Sequence, residues 1–231
     1  MTLYETIYVR RQVRKFNMTP LEQQTVDEIL NFVSEADQLA GQHARFEIAS
    51  ANDVSGGKPA PHYVVSYCDD TSAAYANVGY VLQKVDLYMQ SKGLGSGWYA
   101  GAKPKVHSEN HCIALAFGRT DTPTRKDPAE FKRLPIEKIS PIDNMVAKAV
   151  RLAPSAMNSQ PWRLEFEDGK VMVKDIGRGL MRVVLRNKLN KIDIGIAARH
   201  AVIALEEEGK EITSIIPKIT GKTFEVEISY T

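Results

Sequence analysis

The sequence predicts an α+β fold, because alternating strand patterns stand beside long stretches of helical periodicity. WRLEFE-DG-KVMVKD (162–175) alternates on both sides of an Asp-Gly pair, a strong hairpin signal. TFEVEISY (223–230) alternates as cleanly and reads as a half-buried strand. NVGYVLQKVDLYMQSKG (77–93) and DIGIAARHAVIALEEEG (193–209) each carry an early glycine, an apolar stripe and a glycine after a polar turn. This echo suggests two related halves of roughly a hundred residues each. Helical periodicity alone also produces such a pattern.

The chain has 231 residues, enough for one large domain or two small ones with a buried core. A net charge of +2 confines any basic patch to a local site and speaks against a dedicated nucleic-acid binder. No apolar run approaches the ~20 residues of a membrane helix. The N-terminal MTLYETIYVRR has Glu5 early and no long apolar stretch, so a signal peptide is not expected. Cys68 and Cys112 both fall in apparent strands and read as free buried thiols, which favours a cytoplasmic setting.

Taken in order, residues 2–10 form a short helix followed by the basic run RRQVRKF. A longer helix is expected over 20–39, with Thr19 as cap, Pro20 in the first turn and Glu22 three residues after Thr19. ARFEIAS (44–50) and HYVVSYC (62–68) read as strands, and residues 71–92 as a helix capped by Gly93. GLGSGWYAGAKP reads as a glycine-rich loop and CIALAFG as a buried strand. RTDTPTRKDPAEFKRLP (119–135), with three prolines and many charges, is the best linker candidate. A helix near 141–153 then stops before Pro154, and residues 193–209 form another.

Several constellations carry chemistry. Arg10, Arg11, Arg14 and Lys15 place four cations close together. Such clustering suits a phosphate dianion, with Gln12 as a neutral donor, or is a solvated basic turn. GLGSG follows a helix instead of opening one, so the dinucleotide-binding reading fails on context. His107 and His111 lie four apart, but Pro104 and the following strand disfavour the helix that metal ligation would need. Ser96 lacks the flanking glycines of a nucleophile elbow. APSAMNSQPWRLEF (153–166) offers the Asn158 and Gln160 amides and the Ser155 hydroxyl beside a low apolar surface. That set can face the edge of a planar heteroaromatic ring, or it can be a capping loop with internal hydrogen bonds.

Together these pieces resemble the FMN-dependent nitroreductase family. RRQVRKF is similar to its R-R-S-x-R-x-F motif, APSAMNSQPWRLEF to A-P-S-x-x-N-x-Q-P-W-x-F, and GLGSGWYAG to G-L-G-S-x-W-x-G-G. IALAFG followed by KRLP resembles the family's later strand and basic tail. The order differs from the family's usual one, because the Q-P-W motif comes last. The corresponding place in the first half, near GKPAPHYVV, lacks it. Family members are typically intertwined homodimers with FMN at the interface, and this chain looks like both subunits fused, as in a single-chain pseudo-dimeric subgroup similar to TM nitroreductase.

The resemblance implies a nitroreductase-like fold of two fused half-repeats, residues 1–135 and 136–231, with mostly antiparallel sheets packed by helices. It also implies one FMN site per chain and a monomer. Arg10, Arg11, Gln12 and Arg14 would hold the phosphate, aided by Arg133, with Lys132 its neighbour. Pro154, Ser155 and Asn158 would line the isoalloxazine and ribityl from the second half. Backbone N–H groups of Tyr99, Ala100 and Gly101 would lie beside flavin N5, and Asn52 at the pyrimidine edge. The implied activity is a ping-pong transfer of hydride from NADH or NADPH, through flavin N5, to a nitroaromatic, quinone or similar small acceptor. No protein side chain is then expected to be catalytic. An FMN carrier or sensor without turnover, and a plain interaction module with a basic turn, are the competing readings. No metal, nucleic-acid or membrane partner is expected.

Overall fold

The computed structural model describes residues 1–178 and 188–231. Two four-stranded antiparallel sheets flank a central pair of long helices. The first sheet has the order β1 (Arg45–Ser50), β3 (His62–Tyr67), β6 (His111–Gly118), β4 (Gly95–Tyr99). The second has the order β7 (Trp162–Glu167), β8 (Lys170–Asp175), β10 (Thr223–Tyr230), β9 (Ile212–Thr220). Between them lie α3 (Ser72–Ser91) and α5 (Leu189–Glu207), with α1 (Leu3–Val9), α2 (Gln23–Ser34) and α4 (Met145–Arg151) packed around. A short pair, β2 (Val54–Ser55) with β5 (Lys103–Pro104), forms a flap.

The echoing glycines mark where the helices cross. A Cβ on Gly79 of α3 would sit 2.0 Å from the Ile192 carbonyl oxygen, and one on Gly195 of α5 would sit 1.8 Å from that of Ala76. No larger residue permits this approach, so each glycine serves the other helix. Two positions before each glycine, a polar side chain holds the segment that follows the preceding helix. Asn77 Oδ1 accepts the Leu39 N–H at 2.9 Å, and the Asp193 carboxylate accepts the Ala156 N–H at 3.1 Å. Segment 36–43 is thus the structural counterpart of 153–160. This corrects the expectation that the counterpart lies near GKPAPHYVV, which runs instead into β3.

The inner face of the first sheet, with Val64, Leu115 and Phe117, joins the main core with α3. Its outer face, with Tyr63, Val65, Tyr99, Ala114 and Ala116, is covered by the flap through Val54 and Ala102. The Asp168-Gly169 hairpin forms as expected, with Gly169 at φ +65°.

Four local expectations need correction. GLGSG is not a loop: Gly95–Tyr99 is a strand paired with β6, and the basic segment runs beside it through the Val13 N–H to Ser96 carbonyl bond of 2.9 Å. A Cβ on Gly97 would meet the Val13 carbonyl at 2.5 Å, so the missing side chain admits the chain's own N-terminal segment. Helix α2 begins at Gln23, and Thr19 does not cap it. His62 Nε2 accepts the Leu21 N–H at 2.9 Å, which pins the chain to the sheet before the helix can start. Residues 119–135 are not a free linker but a strap: Asn17 N–H binds the Arg119 carbonyl and Arg125 N–H the Val9 carbonyl. Finally, α5 begins at Leu189, four residues earlier than its glycine pattern indicates.

Candidate functional site

Arg10 ends α1 and turns into the interior, where it is 1% exposed. Its Nε lies 2.9 Å from Asp86 Oδ2 on α3. Asp86 is fully buried and also accepts from Gln90 Nε2 at 3.0 Å and from the Ser96 hydroxyl. Gln83 Nε2 reaches both Asp86 and the His200 ring, whose Nδ1 contacts the Ala149 carbonyl at 2.8 Å. Burial pushes the His200 pKa down to about 3, aided by the nearby positive charges of Arg10 and Arg133. His200 is therefore neutral at physiological pH.

Around Arg10 stand more cations than acids. Arg125 donates to the Arg10 carbonyl and lies 4.1 Å over the Phe131 ring. Arg133 donates to the Leu152 and Phe131 carbonyls, each at 3.2 Å, and to Asn158 Oδ1. Arg151 Nε donates to the Leu134 carbonyl at 2.6 Å. Arg11 pairs with Glu130 at 2.7 Å. Burial first, then Arg10, Arg125 and Arg151, lowers the Arg133 pKa to about 9. Burial, Arg10 and Arg11 lower that of Arg125 to about 10. Arg125 and Arg133 remain protonated at neutral pH, and mutual repulsion among the guanidinium groups favours an anion between them. Among the described residues, Arg10 Nη2, Arg11 Nε and Arg133 Nε are buried without a hydrogen-bond partner. This donor set fits a phosphate dianion, which accepts several charge-assisted bonds at once.

The 153–160 loop forms the second wall. Met157, Asn158 and Gln160 all have positive φ, at 53°, 55° and 48°. Such backbone is costly for residues with side chains and clusters at functional sites. Much of the loop's polar surface holds its own shape. Ser155 Oγ accepts the Gln160 N–H at 3.0 Å, Gln160 Oε1 accepts the Leu134 N–H at 2.9 Å, and Asn158 Nδ2 donates to the Lys132 carbonyl at 3.1 Å. Pro154 is buried, and Met157 is 80% exposed at the tip. Burial raises the Asp193 carboxyl well above its ordinary range.

The structure therefore brings Arg10, Arg11, Arg133 and Asn158 into one region, with Pro154 and Ser155 in the adjoining loop. Gln12 stands nearby but is committed elsewhere. Its Oε1 takes the Trp98 N–H and its Nε2 gives to the Trp98 carbonyl, both at 3.1 Å, so it splices onto β4 instead of offering a free donor. Arg14 is exposed, and its charge acts on Tyr99, whose hydroxyl donates to the Val13 carbonyl at 3.1 Å. Ala100 and Gly101 form the exposed turn after β4. Asn52 is exposed on the β1–β2 turn, joined to the same flap by the Lys105 N–H to Asp53 carbonyl bond. It is not among the arginines. A cavity of about 400 Å³, lined by Asp70, Tyr75, Lys191 and Phe224 among others, includes none of the expected site residues.

Sequence reasoning missed Arg125, Arg151, Asp86 and His200. Arg125 sat in a stretch read as linker, although its charge density was a signal. One turn after Gly195, where α3 carries Gln83 one turn after Gly79, α5 carries a buried arginine. Arg199 of α5, 1% exposed, stacks 3.5 Å over the Tyr80 ring and pairs with Asp37 at 3.0 Å. Burial alone would raise the Asp37 pKa, but Arg199, Lys84 and Tyr80 hold it below the usual carboxylate range.

Two antiparallel sheets on a crossed helix pair, with an arginine cluster at their seam, define the class: this is a nitroreductase-like fold. The family described as Putative TM nitroreductase matches residues 2–205, and the chain belongs to that family. Its structure is similar to that of a putative nitroreductase from Thermotoga maritima MSB8, at 19% identity and TM-score 0.73, over 99% of this chain and 94% of that one. It is also similar to a nitroreductase family protein from Clostridium difficile 630, at 16% identity and TM-score 0.50, over 60% of this chain and 96% of that one. At these identities the likeness is one of fold. No curated protein matches the sequence. Among the described residues, no helix is long and apolar enough to cross a membrane.

Proposed function

We propose that the protein is a flavin oxidoreductase that binds one FMN per chain, its phosphate among Arg10, Arg11, Arg125 and Arg133, and passes reducing equivalents from NADH or NADPH to a small acceptor such as a nitroaromatic or quinone. The observation that carries this reading is the buried guanidinium cluster, in which Arg10 Nη2, Arg11 Nε and Arg133 Nε have no hydrogen-bond partner among the described residues. Family membership supports the same reading. The chain's own part is to bind and orient. Arg133 and Arg125 would supply donors to the phosphate, and Arg10, fixed by Asp86, would hold positive potential beneath it. Met157 and Pro154 would offer apolar surface from the second half. When bound, FMN supplies the hydride chemistry. The Arg199–Asp37 pair, which ties α5 to the 36–43 segment, supports one site per chain and a protein that works as an intrachain pseudo-dimer.

A second reading, FMN binding without turnover, draws on the internal use of Gln12 and Ser155, two residues the family resemblance gives to the cofactor. One experiment separates the two. The protein is mixed anaerobically with FMN, and its visible spectrum is followed on adding NADH and then NADPH. Bleaching of bound flavin supports the oxidoreductase; bound flavin that stays oxidised with both donors supports the second reading. Failure to bind FMN rejects both.

A further inference from the structure

At the opposite end of α3 from the arginine cluster lies a second reactive group, which the proposed function does not use. Tyr75 and Asp86 are eleven positions apart on one helix, a rise of ~16 Å. The chain's two cysteines, Cys68 and Cys112, meet beside Tyr75. Cys68 directly follows β3, and its N–H donates to the Asn110 carbonyl at 3.0 Å. The β3–β6 register slips between Val65 and Tyr67, where the Ser66 hydroxyl accepts the Ile113 N–H and donates to its carbonyl. That slip sets Cys112 diagonally across the strand pair from Cys68, and both thiols are unoxidised.

Their surroundings divide the roles. Cys68 is half-buried and Cys112 is 5% exposed. Lys188 Nζ donates to the His111 carbonyl at 3.2 Å and lies 5.1 Å over the Tyr75 ring, so a fixed cation faces the pair. Opposing it are Asp69 and Asp70, with Tyr75 donating to Asp70 at 2.6 Å. The neighbouring Cys112 thiol, and then Lys188, hold the Cys68 thiol below the usual cysteine range against burial and the two aspartates. Its neighbour Cys68, with burial, pushes the Cys112 thiol far up. Asp70 and Tyr75, which stand beside the pair, also wall the cavity of about 400 Å³.

We propose that Cys68 and Cys112 form a peroxide-reactive dithiol that closes to an intrachain disulfide, with Cys68 as the attacking thiolate and Cys112 as the resolving thiol. Cys68 sulfur attacks one oxygen of hydrogen peroxide; the S–O bond forms, the O–O bond breaks, and the departing hydroxide takes up a proton to become water. The Cys112 sulfur then attacks the sulfenic sulfur, and the S–S bond forms as the S–O bond breaks. The hydroxyl leaves as a second water with the Cys112 proton. Two thiols are oxidised by two electrons and one peroxide is reduced to two waters.

The test titrates the full-length protein with hydrogen peroxide and reads free thiols and intact mass without reductant. The expected result is loss of both thiols, a mass lower by two hydrogens, and full reversal by dithiothreitol. Cys112→Ser is expected to stop at a sulfenic acid on Cys68, trapped by dimedone. Cys112→Ala, which places no polar group in the strand, gives the same readout if the serine does not fold. Cys68→Ser is expected to slow the reaction at least ~10-fold, because the remaining thiol is buried and protonated. Three results would overturn the proposal: a Cys68→Ser variant reacting as fast as the parent, oxygen-adduct masses without loss of the second thiol, or a disulfide between two chains.

Discussion

At the scale of single residues, Arg10 separates what the sequence shows from what it hides. Its place in a basic run suggests a ligand-facing cation, yet the side chain is buried against Asp86. Nothing local to RRQVRKF announces that partner, which sits on another element among apolar residues. Removing one member of a buried pair leaves an uncompensated charge, so Asp86→Ala should destabilise the protein by about 3–5 kcal/mol in urea denaturation. Arg10→Met combined with Asp86→Leu should recover much of the loss. His200 gives a second prediction. Its folded pKa is depressed to about 3, below the ordinary 6.5, so the unfolded chain takes up the proton first on acidification. This contribution to stability is complete above about pH 6.5 and is lost as pH falls toward about 3. A His200→Gln variant should show a shallower decline over that window when denaturation midpoints are compared across pH. An equal slope would assign the acid sensitivity elsewhere.

At the scale of elements, patterned segments were legible and segments shaped by distant contacts were not. The hairpin at Asp168-Gly169, the strand at 223–230 and the two long helices follow from periodicity and turn chemistry, which act locally. The start of α2 was not legible, because His62 on a strand decides it. Strand β9 was missed because Pro217 breaks its pattern; the structure tolerates the proline on an edge strand, where one missing N–H costs no ladder bond. The echoing glycines were visible, but their reason was not: each admits the other helix. Gly79→Ala and Gly195→Ala should therefore each cost about 1–3 kcal/mol or more, through forced separation of α3 and α5. Thermal or denaturant unfolding would show it. A change within ~0.5 kcal/mol, as for a surface substitution, would mean the helices can part freely.

At the scale of the whole molecule, the candidate site exists only because three distant segments converge: the end of α1, the 119–135 strap, and the stretch from the end of α4 through the 153–160 loop. The motifs named two of its walls. The strap's part, through Arg125 and Phe131, was hidden by its linker-like composition. Among the described residues of the other half, Arg199 on α5 and Asp37 satisfy each other. A single phosphate-selective flavin site per chain is therefore expected. The most direct measurement is a fluorescence titration of the protein with FMN and with riboflavin, repeated on Arg133→Gln. One FMN per chain is expected. A charge-assisted bond is worth ~1.5–3 kcal/mol, so riboflavin, which lacks the phosphate, should bind at least roughly 10- to 100-fold more weakly, and Arg133→Gln should narrow that gap. Equal affinity for FMN and riboflavin, or an unchanged gap in the variant, would contradict the assignment of the arginine cluster to the phosphate.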